Sequence, residues 1–427
     1  MKRFRLTHSD MPLRERDLPL IPRSLAPHQV NLAEGRFHTV LVVTELLCRI
    51  PSIVLFVLVG LLMIALGGWL GTMHTAMLAA VILGDWLVLT ILPRLRVSFG
   101  PTQSQWLSLV AMRILVALAF AIAGWLSGLP LDALVIAAQI FGSALVVYGF
   151  YGEPARLRLS RITLKAPMLG RGAKVKLLHI ADVHLERHGT RENQLLEWAR
   201  RLQQDAIMFT GDFLNLSNVH DGEAQQQSRR LWQELCGIAP VYAVSGSPPV
   251  DPHPVVTRIV EGLPIIWLRD EWRQLSVCGN VVRIIGLTCT HDPLTDGTRL
   301  RRVLAEAMLG DAAQVAPVHV SPSGVNGSAP LTILLYHAPD LAPQAAALDA
   351  IDLHLAGHTH GGQVRMPWYG ALITSSIYHK ELEMGLYRLN GMLLFVSRGV
   401  GLEGKGAPRA RFLCPPEIML LELQGEP

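Results

Sequence analysis

Charge is scarce in this 427-residue chain, at 17% Asp, Glu, Lys and Arg against 50% apolar residues, which excludes a disordered or collagen-like protein. Between Pro51 and Gly84 no charged side chain occurs at all. Cysteine is scarce too. Cys48, Cys236, Cys278, Cys289 and Cys414 lie far apart with no C-x-x-C pair, so neither a disulfide framework nor a thiolate zinc site is expected, and reduced thiols in a reducing compartment are. The first 37 residues are polar and proline-bearing and lack an apolar core, so no cleavable signal peptide is expected. No internal repeat is evident.

What is present divides between two solvents, and the mean hydropathy of +0.33 averages over both. Four apolar blocks near Ile53–Leu70, Ala76–Leu92, Trp106–Trp125 and Leu131–Phe150 each approach the ~20 residues that cross a ~30 Å hydrocarbon core. The short turns Gly71–His74 and Ser127–Pro130 pair them into two helical hairpins. Eight basic residues precede the first block, Arg94 and Arg96 follow the second, and seven lie between Arg156 and Lys176. Lys and Arg are retained on the cytoplasmic side, so the expectation is a multi-pass protein of the inner (cytoplasmic) membrane with both termini in the cytoplasm. Asp85 and Arg113 fall inside the second and third spans, either as a functional intramembrane pair or as a pair bridging two helices.

The sign of the charge changes along the chain. Up to Lys176 there are 18 Lys and Arg against 8 Asp and Glu, and after it 20 against 26. An acidic second half without a clustered basic face argues against a nucleic-acid partner. There, short apolar runs alternate with amphipathic stretches, the pattern of an α/β domain. Strands are predicted at Val175–Ile180, Ala206–Thr210, Val241–Ser245, Val281–Leu287, Leu331–Tyr336, Ile351–Ala356 and Met392–Ser397, with helices at Glu192–Gln203 and Gln225–Gly237. Asp311–Pro330, rich in Ala, Pro, Ser and Gly, reads as an inserted surface loop. The organisation expected is a basic N-terminal segment over 1–50, four transmembrane helices over 51–150, a juxtamembrane basic linker over 151–173 and an α/β domain over 174–427.

Polar residues collect where these strands end. Asp182-Val-His184 closes the first, Gly211-Asp212 the second, His337 the Leu331–Tyr336 strand, and Gly357-His358-Thr359-His360-Gly361-Gly362 the Ile351–Ala356 strand. In open α/β sheets the carboxyl edge is where ligands bind. Imidazole nitrogen and carboxylate oxygen suit zinc, manganese or iron, and two carboxylates with four imidazoles are enough for two ions. The Gly-His-Thr-His-Gly-Gly run weighs most, because two histidines two apart between glycines form no helix face and lie on one turn.

The order D-x-H, G-D, H-x-P-D and G-H-T-H-G-G-Q resembles the calcineurin-like metallophosphoesterases, and its last motif is similar to the membrane-associated bacterial branch of that superfamily. The resemblance covers about Lys174 to Leu423, including Val396-Ser-Arg-Gly-Val-Gly401 and Pro416-Glu-Ile418. It implies two sheets packed between helices and two divalent metal ions about 3.5–4 Å apart, a spacing suited to in-line phosphoryl displacement. By motif, Asp182, His184 and His360 would hold the first metal, Asp212 would bridge both, and His337 and His358 would hold the second. A bridging hydroxide would be the nucleophile, with the cations neutralising the phosphate as charge builds on it.

One motif departs from the family pattern. Where the family has G-N-H followed by an acid, this chain reads Gly246-Ser247-Pro248-Pro249. The missing asparagine would have given an amide oxygen to the second metal, and the missing histidine would have faced the leaving group. Ser247 can offer a hydroxyl or hold a water in place of the amide, whereas Pro248 donates nothing. His253 and His220 are candidate substitutes. The resemblance implies a membrane-anchored hydrolase of a phosphodiester or diphosphate bond, with a lipid-linked diphosphate such as UDP-diacylglucosamine as a substrate of the kind that branch cleaves. The alternative is a catalytically impaired metal-binding membrane sensor or scaffold. No oligomeric state is assigned.

Overall fold

The computed structural model describes residues 5–6, 50–314, 330–404 and 409–426. They fall into two compact units, one made of residues 50–155 with 403–404 and 409–412, the other of the remainder.

The first unit is built on four helices, α1 (Ser52–Leu70), α2 (Thr72–Ile91), α3 (Thr102–Ser127) and α4 (Asp132–Val147), the last continued by a π turn at Tyr148–Gly152. All four are long and apolar enough to cross a membrane. Leu61 and Ile64 are 58% and 76% exposed on α1, an outward apolar face that water does not favour and a lipid tail would cover. The four-residue turn expected at Gly71–His74 is a single residue: Gly71 takes φ 77°, and α2 starts at Thr72. Inside, Phe56, Trp86 and Trp106 meet with ring centroids 4.8–5.0 Å apart, and Trp106 Nε1 donates to the Ile82 carbonyl at 2.8 Å.

Asp85 and Arg113 pair across α2 and α3. Arg113 Nε and Nη2 donate to the two Asp85 oxygens at 2.9 and 2.8 Å, and its remaining donors reach Gln139 and Ser143 on α4. Every element of this knot is satisfied inside the helices, so it ties three of them together. Asp85→Ala strands the guanidinium and is expected to cost about 3–5 kcal/mol, read as a lower thermal midpoint in detergent. Replacing both partners by Leu and Met should cost less than that single change.

The second unit is an α/β sandwich. One sheet has seven strands in the order β1 (Arg5–Leu6), β2 (Arg158–Lys165), β15 (Glu417–Gln424), β3 (Lys174–Ile180), β4 (Ala206–Phe209), β5 (Val241–Ala243) and β6 (Ile265–Trp267). The other has six: β13 (Gly385–Leu389), β14 (Met392–Val396), β10 (Leu353–Ala356), β9 (Leu331–Leu335), β8 (Asn280–Gly286) and β7 (Glu271–Val277), while β11 (Arg365–Met366) and β12 (Gly370–Ala371) form a separate antiparallel pair. β3 to β6 run parallel, as do β8, β9, β10 and β14. The apolar alternation of β3, with Val175 and Leu177 on one side and Leu178 and Ile180 on the other, explains the layering. The first pair joins the core between the sheets and the second packs under helices α5 (Thr190–Leu202), α6 (Gly222–Cys236) and α7 (His253–Val260). Helix α8 (Pro293–Gln314) covers the six-stranded sheet.

Three expectations are corrected. The segment 151–173 is not a linker: Arg158–Lys165 is a full strand paired in parallel with β15 along eight residues, because its alternating apolar positions Ile162 and Leu164 find a face in the core. Residues 403–404 and 409–412, assigned by sequence to the domain over 174–427, group with the helices. Arg409 N–H donates to Gln105 Oε1 at 3.0 Å, and Arg411 N–H donates to the Gly149 carbonyl at 2.9 Å. The loop expected from Asp311 begins as helix, since α8 runs to Gln314, and 315–329 lies outside the described residues. The basic segment expected over 1–50 is also outside them, apart from Arg5–Leu6 and residue 50.

Candidate metal centre

Parallel strands deliver polar loops to one edge. β3 ends into Asp182 and His184, β4 into Asp212, β5 into Ser247, β9 into His337 and β10 into His358 and His360. Two sets of donor atoms result, each with its atoms within 4.8 Å of one another: Asp182, His184 and His360, and Asp212, His337 and His358. Each of the six residues singled out by sequence lies in one of these two groups, Asp212 with His337 and His358.

The backbone is bent to make this possible. Asp182, His184, Asp212, His358 and His360 all have positive φ, between 41° and 71°. Such conformations in non-glycine residues cost about 1–3 kcal/mol each and persist where the surroundings enforce them. Backbone bonds do so here, from Asp182 N–H to Gly211 O, His184 N–H to Asp212 O and Gly401 N–H to Asp182 O. Glycines let the loops close: a Cβ at Gly357 would collide with Asp182 Oδ2, and one at Gly246 with Asp212 Oδ1.

Hydrogen bonds fix which nitrogens carry lone pairs. His337 Nδ1 lies 2.8 Å from the Thr210 carbonyl and His184 Nδ1 3.3 Å from the Leu214 carbonyl. A carbonyl only accepts, so each Nδ1 holds the proton and each Nε2 is left as a ligand atom. His184 Nε2 then faces His360 Nε2 at 2.9 Å, and His337 Nε2 faces His358 Nδ1 at 3.1 Å. Asp212 Oδ2 is 3.3 Å from both His184 Nε2 and His337 Nε2, one oxygen equidistant from the two triplets. Its other oxygen accepts from Ser247 N–H at 2.8 Å. Asp182 Oδ2 is buried without a hydrogen-bond partner among the described residues, while Oδ1 accepts from His358 N–H.

Charge is unbalanced in this pocket. Burial resists ionisation of Asp212, but His337 and then His184 outweigh it and hold the carboxyl well below the usual range. Burial pushes Asp182 up to about 6. His337 is pushed up to about 9, because Asp212 outweighs the burial that opposes a cation there. A proton is therefore retained where lone pairs crowd, and a cation that displaces it releases it to solvent. Facing nitrogen lone pairs, an orphaned buried carboxylate oxygen and an equidistant carboxylate fit two divalent cations of the imidazole and carboxylate class.

Ser247 stands where the family's asparagine would, with Oγ 3.1 Å from His337 Nε2 and 3.4 Å from His358 Nδ1. The acid absent after Gly246-Ser247 reappears four residues later. Asp251, which sequence reasoning missed, is buried and accepts from the N–H groups of Asp212, Phe213 and Gly246 at 2.7–2.9 Å. An acid inside the same turn was the available signal. His253 stacks on Trp267 and meets Arg269 Nη1 at 2.6 Å, and neither it nor His220 belongs to either triplet.

With the fold and these two triplets in place, the class follows: residues 175–362 match the family model for calcineurin-like phosphoesterases, and the chain carries a calcineurin-like metallophosphoesterase domain and is a hydrolase. Among its relatives, it is 25% identical over 346 residues to the UDP-2,3-diacylglucosamine pyrophosphatase LpxG of Chlamydia trachomatis, covering 66% of this chain and 93% of that one. It is 27% identical to phosphodiesterase YaeI of Escherichia coli, covering 67% and 96%. It is also 26% identical to metallophosphoesterase YkuE of Bacillus subtilis, covering 65% and 89%.

Proposed function

We propose that this protein hydrolyses a phosphodiester or diphosphate bond at a dinuclear metal centre, on a domain anchored to the cytoplasmic face of the inner membrane, with a lipid-linked diphosphate as substrate. The observation that carries the reading is the single Asp212 oxygen 3.3 Å from a ligand nitrogen of each triplet. Asp182, His184 and His360 would hold one cation, His337 and His358 the other, and Asp212 both. When bound, two divalent ions supply Lewis acidity and a hydroxide nucleophile near neutral pH. The chain itself fixes ligand direction through Thr210 and Leu214, buries every donor except the half-buried His358, and presents the Ser247 hydroxyl to the second triplet. A phosphate leaving group departs without a proton, so diphosphate cleavage tolerates Pro248 where the family has histidine.

Four helices of membrane-crossing length and the basic residues before α1, after α2 and before β3 support anchoring with the domain in the cytoplasm. The relatives named for UDP-2,3-diacylglucosamine support the lipid diphosphate. Full-length protein reconstituted with manganese is expected to hydrolyse an aryl phosphodiester and UDP-diacylglucosamine in mixed micelles. Bound metal without turnover of either would leave the sensor or scaffold reading. Ser247→Ala should weaken manganese at the second triplet about 10-fold, and Ser247→Asn should recover it, by titration calorimetry.

A further inference from the structure

Beyond the six donors, four of them imidazoles, a fifth imidazole faces this centre. After β8 the chain turns through Cys289-Thr290-His291, and the His291 ring lies over His358 at 4.6 Å between centroids, 36° from parallel, with His337 at 6.3 Å. Nothing in the motif order marks it. Like five of the six donors, His291 takes a positive φ, 60°, which a residue with a side chain adopts only where its surroundings hold it.

The holding device is visible. Asp296, fully buried at the start of α8, accepts from Thr290 N–H at 2.9 Å, from Thr290 Oγ1 at 2.6 Å and from the Tyr336 hydroxyl at 2.6 Å. Tyr336 immediately precedes His337, so one buried carboxylate fixes both the second triplet's histidine and the turn that carries His291. Cys289 Sγ sits 3.4 Å from the same Tyr336 hydroxyl and 3.8 Å from His291 Nδ1, which leaves Nε2 as the ring nitrogen open to a ligand. His291 is exposed, whereas all the donors except the half-buried His358 are buried. A side chain held this firmly, against a metal-ligand ring and yet open to solvent, is placed to meet something that arrives from outside.

We propose that His291 makes the substrate contact that Pro248 cannot, its Nε2–H donating to a phosphoryl oxygen held over the second triplet. The inference rests on the dinuclear phosphoester reading and adds a residue from a different loop to it. His291 is then a substrate-binding residue supplied by the β8 loop in place of one lost from the β5 loop.

Inorganic phosphate, titrated into the full-length manganese-loaded protein by calorimetry and used as a competitive inhibitor, tests it. His291→Ala is expected to weaken phosphate at least 10-fold with manganese stoichiometry unchanged, and His291→Gln, whose amide still donates, to recover part of that loss. In turnover, KM should rise more than kcat falls. Equal phosphate affinity in all three proteins overturns the proposal, and so does loss of manganese from His291→Ala, which would make it a ligand or a structural support. Wild-type protein that binds manganese and phosphate yet cleaves no ester would sink the hydrolytic reading alone, because the phosphate comparison does not need turnover.

Discussion

Asp212→Ala is expected to lower phosphoester turnover by roughly 10³-fold, about 4 kcal/mol of barrier at 1.36 kcal/mol per decade. No other donor serves both triplets, since its Oδ2 is shared by His184 and His337. Asp212→Asn should be nearly as damaging although it conserves shape. Oδ1 accepts from Ser247 N–H, so the amide must either turn its NH2 toward that donor or toward the histidine nitrogens, and neither arrangement replaces the carboxylate. Metal analysis of the purified variants should show fewer than two ions per chain. Wild-type kcat in Asp212→Ala with both ions retained would exclude the bridging role.

The sequence made the six donors legible because each follows an apolar strand, and a strand's carboxyl end is a fixed place in an α/β sheet. The family motif, not the spacing, separated His358 from His360, and the structure groups them with different partners, each histidine in left-handed backbone at φ 71° and 52°. Two parts of the fold that stayed hidden had no local signal. β2 is a basic stretch beside an apolar helix, and its partner β15 lies more than 250 residues away, so only long-range pairing distinguishes it from a linker. The exchange of residues 409–412 into the helical unit is invisible for the same reason: two hydrogen bonds to Gln105 and Gly149 carry no periodicity. Asp251 was hidden by its place in the turn, since an acid a few residues past the family's position breaks the motif, although here its carboxylate reaches the N–H groups of Asp212, Phe213 and Gly246.

Acid should destabilise the α/β unit through two histidines that are not among the donors. His179 on β3 and His354 on β10 are fully buried, and burial, reinforced for His179 by the His354 charge, pushes each down to about 3. His179 Nε2 meets Thr210 Oγ1 at 3.0 Å, the residue whose carbonyl orients His337. Both folded values lie below the ordinary 6.5, so above pH 6.5 the folded and unfolded chains hold the rings neutral alike and the contribution is fully present. As pH falls from 6.5 toward 3, the unfolded chain takes up protons that the folded chain refuses, and stability is lost. By pH 4.5 the loss amounts to about 5 kcal/mol for the pair, at 1.36 kcal/mol per unit for each ring. Denaturant midpoints between pH 7.5 and 4.5, measured with chelator present, should therefore fall steeply in the wild type and less steeply in His179→Phe with His354→Leu. The donor histidines titrate identically in both proteins, so the difference between the two profiles belongs to the buried pair, and parallel profiles would show that these rings take up no extra protons on unfolding.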